Sequence, residues 1–152
     1  IIALTNLVFA LLLFVSDRKI SRRKLSDIST KDALIIGIWQ SFAVFPGTSR
    51  SGASITGARF LNFNRKDAII ISMLLSIPSI TLSSAYIALN FFNNSSKIEA
   101  NYIIYGVVFS FIISFLTLRF FLKLGETFSF TPFVIYRVFL GLIILAVLYI
   151  YP

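Results

Sequence analysis

The sequence contains no cysteine and no histidine among its 152 residues. The lack of cysteine excludes disulfides and thiolate metal sites within these residues, and the lack of histidine removes the commonest general base and zinc ligand. Charge is also scarce: 13% of the residues are charged and 57% are hydrophobic, whereas about 25% of a soluble domain is charged. We therefore predict an integral membrane protein whose apolar surface is covered by lipid.

Acidic residues are few, with six Asp and Glu against fourteen Lys and Arg, and the formal charge is +8. Such a charge would suggest nucleic acid binding in a soluble protein, but eleven of the cations fall in three short polar segments, 17–32, 59–67 and 119–126. The positive-inside rule accounts for this pattern without nucleic acid. It predicts that these segments are cytoplasmic and that the C-terminus lies on the outer side.

Apolar runs predict an all-α membrane fold of spanning helices plus one re-entrant hairpin, in a single membrane domain. Residues 1–16 are apolar from the first position, so we expect a partial spanning helix that begins at an internal residue of a longer protein. A cytoplasmic loop at 17–32 follows. The later runs are long enough to cross a membrane, and the predicted spanning helices are 68–92, 102–122 and 132–151.

The segment 33–62 differs from these spans because Pro46 and Gly47 interrupt it. Its first apolar part, 33–45, has thirteen residues and would be only about 20 Å long as a helix, against a hydrocarbon core of roughly 30 Å. We predict a hairpin that enters the membrane and returns, with Ser29 or Thr30 as the cap of its first helix. The alternative is one kinked spanning helix.

The break in this segment has the composition of an anion-binding loop. Glycines allow close backbone approach, hydroxyl side chains offer donors, and the helix that restarts near residue 51 points its unpaired N–H groups back at the loop. The residues concerned are Gly47, Thr48, Ser49, Ser51, Gly52 and Ser54. Gln40, in the preceding helix, could position a water or a hydroxyl group.

Arg50 is the decisive residue of the loop. An arginine at the bilayer centre costs roughly 2.5–3.5 kcal/mol on insertion scales unless it is paired or hydrated, and all six acids lie in or beside other loops. We therefore expect its anion to come from a ligand or from another segment, and a guanidinium suits phosphate oxygens. The alternative is an arginine that extends to the interface. Arg137 has the same two interpretations.

At this loop the sequence resembles the undecaprenyl-diphosphate phosphatase family, also called bacitracin-resistance proteins. The family signature Pro-Gly-x-Ser-Arg-Ser-x-x-Thr matches residues 46–54 at every fixed position except the last, where Ser54 replaces Thr. The surroundings are also similar, and the resemblance extends from residue 27 to the end. The flanking matches are Gly37-Ile38-Trp39-Gln40, Ser76-Ile77-Pro78 and Pro132-Phe133-x-x-Tyr136-Arg137.

The resemblance implies two inverted repeats, each with a re-entrant hairpin, around a site that opens to the outer side. It implies removal of the terminal phosphate of undecaprenyl diphosphate, a polyprenyl diphosphate lipid, with a divalent cation (Mg²⁺ or Ca²⁺). The family's first signature, with two glutamates and a histidine, is not in this sequence. We therefore expect this chain to be the C-terminal portion, to be inactive alone, and to leave the metal ligands to the other half.

The expected roles follow from this resemblance. Arg50, with Ser49 and Ser51, would hold the diphosphate and stabilise charge on the transferred phosphoryl group. The expected substrate-binding residues are Gly47, Thr48, Gly52, Ser54 and Gln40. The competing interpretations are half of an inverted-repeat transporter or lipid flippase and a non-catalytic scaffold. The sequence leaves open whether the protein forms a homo-oligomer.

Overall fold

The structure, a computed structural model, describes residues 1–93 and 100–150. These residues form helices joined by short loops and contain no β-strand, which confirms the predicted all-α class. The helices are α1 (Ile2–Asp17), α2 (Thr30–Ser41), α3 (Arg50–Phe60), α4 (Arg65–Asn93), α5 (Ala100–Thr127) and α6 (Thr131–Ile150). Short 3₁₀ turns lie at Leu25–Asp27 and Phe42–Val44.

Among the described residues, three stretches of helix are long and apolar enough to cross a membrane: Arg65–Leu89, Ile103–Gly125 and Thr131–Ile150. They overlap the three predicted spans. Large apolar side chains remain exposed along all three, and the most apolar 18-residue stretch of Ile103–Gly125 has no buried residue. An apolar surface of this extent requires lipid or protein to cover it, and the chain is an integral membrane protein.

The start of α2 is fixed by a capping box at Ser29, one of the two residues that the sequence predicts as its cap. The Ser29 hydroxyl accepts a hydrogen bond from the Asp32 N–H at 3.2 Å, and the Asp32 carboxylate accepts one from the Ser29 N–H at 2.9 Å. These two bonds satisfy N–H groups that lack partners at a helix N-terminus. The cap sets where the first helix of the hairpin begins.

Helices α2 and α3 fold back on each other around residues 45–49, named here the tip loop. The rings of Trp39 and Phe60, on opposite sides of this loop, have centroids 5.5 Å apart. A Cβ atom on Gly57 would lie 2.6 Å from Trp39 Cγ, so the glycine permits the close approach. One kinked helix could not bring these residues together, and the alternative of a single spanning helix is wrong.

Both ends of the hairpin return to the same end of the bundle. Arg23 pairs with the Asp32 carboxylate at the start of α2 at 2.7 Å, and it donates to the Leu61 carbonyl just after α3 at 3.1 Å. This contact lowers the pKa of the Asp32 carboxyl, with further help from the Ser29 hydroxyl and N–H. Arg23 therefore closes the open end of the hairpin.

Asp17 joins four helices at this same end. Its carboxylate accepts hydrogen bonds from Arg65 Nε at 2.7 Å and from the Phe130 N–H at 2.9 Å, and it lies 3.3 Å from the buried Arg59 guanidinium. The end of α1, the end of α3, the start of α4 and the start of α6 thus meet. This part of the bundle, residues 17–32, 59–67 and 119–125, is named the cationic end.

Candidate functional site

The tip loop is shaped by the residues that interrupt the hairpin. Gly47 has φ of +93°, a conformation that side chains with a Cβ rarely adopt. Ser49 then caps α3, because its hydroxyl accepts a hydrogen bond from the Gly52 N–H at 3.1 Å. From Arg50 to Phe60 the helix rises about 15 Å at ~1.5 Å per residue, about half of a ~30 Å hydrocarbon core.

Helices α1 and α6 hold the tip loop through backbone carbonyls. The Thr5 hydroxyl donates to the Pro46 carbonyl at 2.6 Å, and Arg137 Nη2 donates to the Gly47 carbonyl at 3.0 Å. Asn6 positions Arg137, since its Oδ1 accepts from Arg137 Nε at 2.8 Å and its Nδ2 donates to the Arg137 carbonyl at 2.7 Å. A space for a Cβ is also missing at Gly47, where it would meet the Ile2 carbonyl oxygen. The loop is thus fixed on both sides.

Ser49 and Ser51 are the exposed hydroxyl groups at the start of α3. Their Oγ atoms lie 3.2 Å apart, and both side chains are exposed. They stand beside the first N–H groups of an 11-residue helix, where unpaired donors and the positive end of the helix dipole favour an anion. The structure therefore brings two hydroxyl groups and a helix N-terminus to one place.

Arg50 lines a cavity of about 220 Å³ between α3, α4 and α5, together with Ser51, Ser72 and Ser76. The side chain is half-buried, and Nη1 lies 3.5 Å from the Ser76 carbonyl oxygen, the long limit of a hydrogen bond. No carboxylate among the described residues lies within 4 Å of the Arg50 guanidinium; the ion pairs of this part of the chain are made by Arg23, Arg59 and Arg65. Most of the hydrogen-bonding capacity of this guanidinium is unused.

Arg137 brings a second guanidinium to the tip loop. It is only 9% exposed, so the expectation that it extends to an interface is wrong. Its Nη1 has no hydrogen-bond partner and lies 2.9 Å from the point that a Cβ on Gly52 would occupy. The burial follows from a polar partner on α1, Asn6, that sequence distance concealed. The sequence offered two signals, an arginine inside an apolar run and the flanking family match that ends at Arg137.

The remaining predicted residues occupy three different environments. Thr48 is buried in the tip loop, and its hydroxyl has no partner. Ser54 is fully buried and shares a 2.7 Å hydrogen bond with Ser72 of α4, so it faces the α3–α4 contact. Gln40 also faces α4: its Nε2 lies 3.4 Å from the Leu75 carbonyl oxygen and its Oε1 is buried without a partner.

The described residues of this site can bind an anion, but they include no carboxylate or imidazole that could act as a general base. Hydroxyl groups, helix N–H groups and two guanidinium groups all donate hydrogen bonds, and guanidinium pairs well with phosphate oxygens.

Residues 1–143 match the family described as bacitracin resistance protein BacA. The chain belongs to this family. The resemblance recognised at the Pro46-Gly47 loop is confirmed.

Relatives of known name are similar over almost the whole chain. A protein of Ruegeria pomeroyi named undecaprenyl-diphosphatase is 41% identical over 150 residues, which cover 98% of this chain and 56% of that protein. Proteins of the same name from Aliivibrio salmonicida and Teredinibacter turnerae are each 42% identical, over 96% and 95% of this chain and 55% of each relative. The chain spans about half the length of the curated relatives that it matches.

The tip loop does not fit a metal ion. In the described part of the chain, no three Asp, Glu, His or Cys residues come together as ligands, and the side chains nearest the loop, Arg50 and Arg137, would repel a cation. Mg²⁺ and Ca²⁺ prefer carboxylate and carbonyl oxygens. The donors of this BacA-family loop are therefore suited to the phosphate groups of a ligand and not to a divalent ion.

Proposed function

We propose that the complete protein hydrolyses the terminal phosphate of undecaprenyl diphosphate and that the tip of the hairpin binds the diphosphate. The observation that carries this proposal is Arg50, a half-buried guanidinium without a carboxylate partner among the described residues, at the start of a capped helix. The names of the relatives support the substrate, since three similar proteins are called undecaprenyl-diphosphatase. We propose that residues 1–152 alone are inactive.

The chemistry assigned to these residues is charge stabilisation. Water attacks the terminal phosphorus, and the anhydride P–O bond breaks. The lipid monophosphate is the leaving group, and inorganic phosphate is the other product. Negative charge on the phosphoryl and leaving oxygens grows during this step, and fixed donors at those positions lower the barrier. Arg50 is the cation at the diphosphate, and the hydroxyl groups of Ser49 and Ser51 donate to its oxygens. The proton acceptor and the ligands of any divalent cation are residues outside the tip loop.

An apolar cavity supports a lipid substrate over a soluble diphosphate. It has a volume of about 520 Å³ and runs between α4 and α5. Met73, Ser76 and Leu118 line both this cavity and the one at Arg50, so the two adjoin. Its remaining lining is largely isoleucine and leucine. A diphosphate at Arg50 could therefore extend its prenyl chain between these two helices.

The charge pattern supports an orientation in the bacterial inner membrane. The cations predicted to be cytoplasmic lie together at the cationic end, where Arg23, Arg59 and Arg65 make their ion pairs. By the positive-inside rule this end faces the cytoplasm, and the tip loop, at the far end of the hairpin, opens to the outer side. Labelling an engineered cysteine at Ser49 from outside intact cells would contradict this orientation if it gave no product while one at Ser26 reacted.

The experiment replaces Arg50 by Gln in the complete protein. We expect kcat/KM for phosphate release from undecaprenyl diphosphate to fall at least ~10²-fold, as when a fixed transition-state donor is removed. Arg22→Gln is the matched control, because Arg22 is exposed and lies at the cationic end, and it should leave the rate unchanged.

Near-normal turnover of a folded Arg50→Gln protein would refute the proposal. A transporter would instead move labelled lipid across vesicles without releasing phosphate. A scaffold would show no loss in either assay. Thermal unfolding in detergent, measured on both variants, ensures that any loss of turnover comes from the site and not from misfolding.

A further inference from the structure

A second polar cavity, of about 550 Å³, opens at the cationic end, far from the tip loop. It lies where α1 ends and α4 begins. Among the residues that the structure describes, its walls carry five cations and one carboxylate. The charged residues that line it are Asp17, Arg18, Lys19, Arg59, Arg65 and Lys66. No step of the proposed hydrolysis uses this cavity.

The single carboxylate cannot neutralise these walls. Asp17 lies 2.7 Å from Arg65 and 3.3 Å from Arg59, so one negative charge already serves two guanidinium groups. Arg59 is 3% exposed, and its Nη atoms also donate to the carbonyls of Asp17, Lys19 and Phe63, so its charge is held in the wall of the cavity. The walls formed by the described residues therefore carry an excess of positive charge.

Aromatic rings stabilise the cations at the mouth of the cavity. The Arg18 guanidinium carbon lies 4.4 Å from the centroid of the Phe14 ring, and Lys19 Nζ lies 5.3 Å from that of Phe60. Contacts of this kind attract a cation to the ring face. Both side chains remain exposed, so their charges stay available to a ligand.

We propose that this cavity binds the phosphate of an anionic phospholipid headgroup. Phosphate oxygens suit clustered arginine and lysine donors, and basic pockets between helices on the cytoplasmic side are known lipid headgroup sites. Ile20, which also lines the cavity, is 87% exposed. An apolar side chain beside the cations matches a lipid, with its glycerol and acyl groups, better than a soluble phosphate.

The test uses the complete protein in detergent, with phosphatidylglycerol and phosphatidylcholine added in equal amounts and native mass spectrometry as the readout. The variant is Arg18→Gln with Lys19→Gln. The control is Arg22→Gln with Lys31→Gln, which removes the same charge from two exposed residues outside the cavity. We expect phosphatidylglycerol binding to fall roughly ten-fold in the variant and to stay near the wild-type level in the control.

Three results would overturn the proposal. Equal losses in variant and control would show that diffuse surface charge binds the lipid. Equal retention of phosphatidylcholine and phosphatidylglycerol by the wild type would show that the headgroup charge is not recognised. Full displacement of the lipid by inorganic phosphate, itself bound through Arg18 and Lys19, would make the ligand a soluble phosphate. Hydrolysis at the tip should be unchanged in the variant, so this test is independent of the proposed function.

Discussion

At the scale of single residues, Arg50 and Arg137 bring guanidinium groups to the hairpin tip from different helices. Arg137 Nε donates to Asn6 and Nη2 donates to the Gly47 carbonyl, so these two groups of its guanidinium have a structural role. Within the described parts of the chain, the Arg50 guanidinium makes only a 3.5 Å contact with the Ser76 carbonyl. The difference in partners separates a residue that holds the loop from one that is available to a ligand.

Gly47→Ala should disturb the tip loop from the inside. The residue has φ of +93°, and its new Cβ would lie 2.5 Å from Thr5 Oγ1. Left-handed backbone costs a residue with a Cβ about 1–2 kcal/mol, and the contact adds to this. We expect a lower midpoint of thermal unfolding in detergent and a large loss of hydrolysis by the complete protein.

Gly37→Ala is the matched control for this glycine. A Cβ there would meet nothing within 4 Å, and the residue lies inside α2. Alanine in a helix interior is favoured over glycine by roughly 0.5–1 kcal/mol, so the midpoint should stay or rise. If Gly47→Ala unfolds at the same temperature as Gly37→Ala, the loop is not held in the way described.

The sequence predicted the loop of this site but not what surrounds it. The loop residues Gly47 to Gly52 are adjacent in the chain, so a local break in an apolar run was enough to find them. The hydrogen bonds between Asn6 and Arg137 join residues 131 positions apart. No local pattern reports a contact over that distance. The environment of Arg137 was therefore visible only in the fold.

At the scale of elements, the hairpin is closed at its open end by Arg23 and packed between its two helices by Trp39. Arg23 joins Asp32 of α2 to the Leu61 carbonyl after α3. Trp39 packs on Gly57 and Phe60 between the two helices. Neither helix is longer than 12 residues, and isolated helices of that length are marginal. The stability of the hairpin therefore comes from these tertiary contacts.

The Arg23–Asp32 contact predicts a pH dependence. The Arg23 guanidinium and the Ser29 groups lower the pKa of Asp32, so the folded state favours the ionised carboxyl. This stabilisation is complete above the ordinary pKa, about 4, and decreases as the pH falls toward the lower pKa of the folded state. We expect wild type to unfold at a higher temperature than Asp32→Asn at pH 7, by a margin that shrinks below about pH 4.

Lys31→Gln is the control for this measurement. Lys31 is adjacent to Asp32 in sequence and exposed, and its loss should leave the margin to wild type independent of pH between 3 and about 7. A margin between wild type and Asp32→Asn that stays constant down to pH 3 would contradict the stabilising role of the ionised carboxyl.

Element types were more predictable than element contacts. The capping residue Ser29 and the break at Pro46 are local signals, and the start of α2 followed from the first. The end of α2 at Ser41 did not follow from the second, because a 3₁₀ turn at Phe42–Val44 precedes the break. The choice between a hairpin and one kinked helix depended on Trp39 reaching Gly57, which is a tertiary contact. The short apolar run at 33–45 favoured the hairpin, since thirteen residues of helix do not span a hydrocarbon core, and the packing then decided it.

At the scale of the whole molecule, Asp17 is the point where the helices are joined at the cationic end. It is 6% exposed and contacts Arg59, Arg65 and the Phe130 N–H. Buried charge requires a partner, because removing one member leaves the other unpaired in a poorly solvated place. Composition indicated that cations would gather at this end but not that one acid would organise them.

Asp17→Asn should therefore destabilise the whole bundle by about 3 kcal/mol, measured by thermal or denaturant unfolding of the protein in detergent. Asp27→Asn is the control, since Asp27 is exposed and, among the described residues, its carboxylate accepts hydrogen bonds only from the Lys24 N–H and the Ser26 hydroxyl. Its effect should be much smaller. Similar unfolding of the two variants would show that Asp17 is one surface acid among others.

The hold of α1 and α6 on the tip loop also determines what kind of receptor the hairpin makes. Thr5 and Arg137 fix two successive carbonyls, so the loop gives up its conformational freedom when the protein folds, before any anion arrives. Binding then needs little further ordering, which otherwise weakens affinity. A rigid receptor of this kind selects its ligands by shape, because the loop does not rearrange to fit an anion of a different geometry.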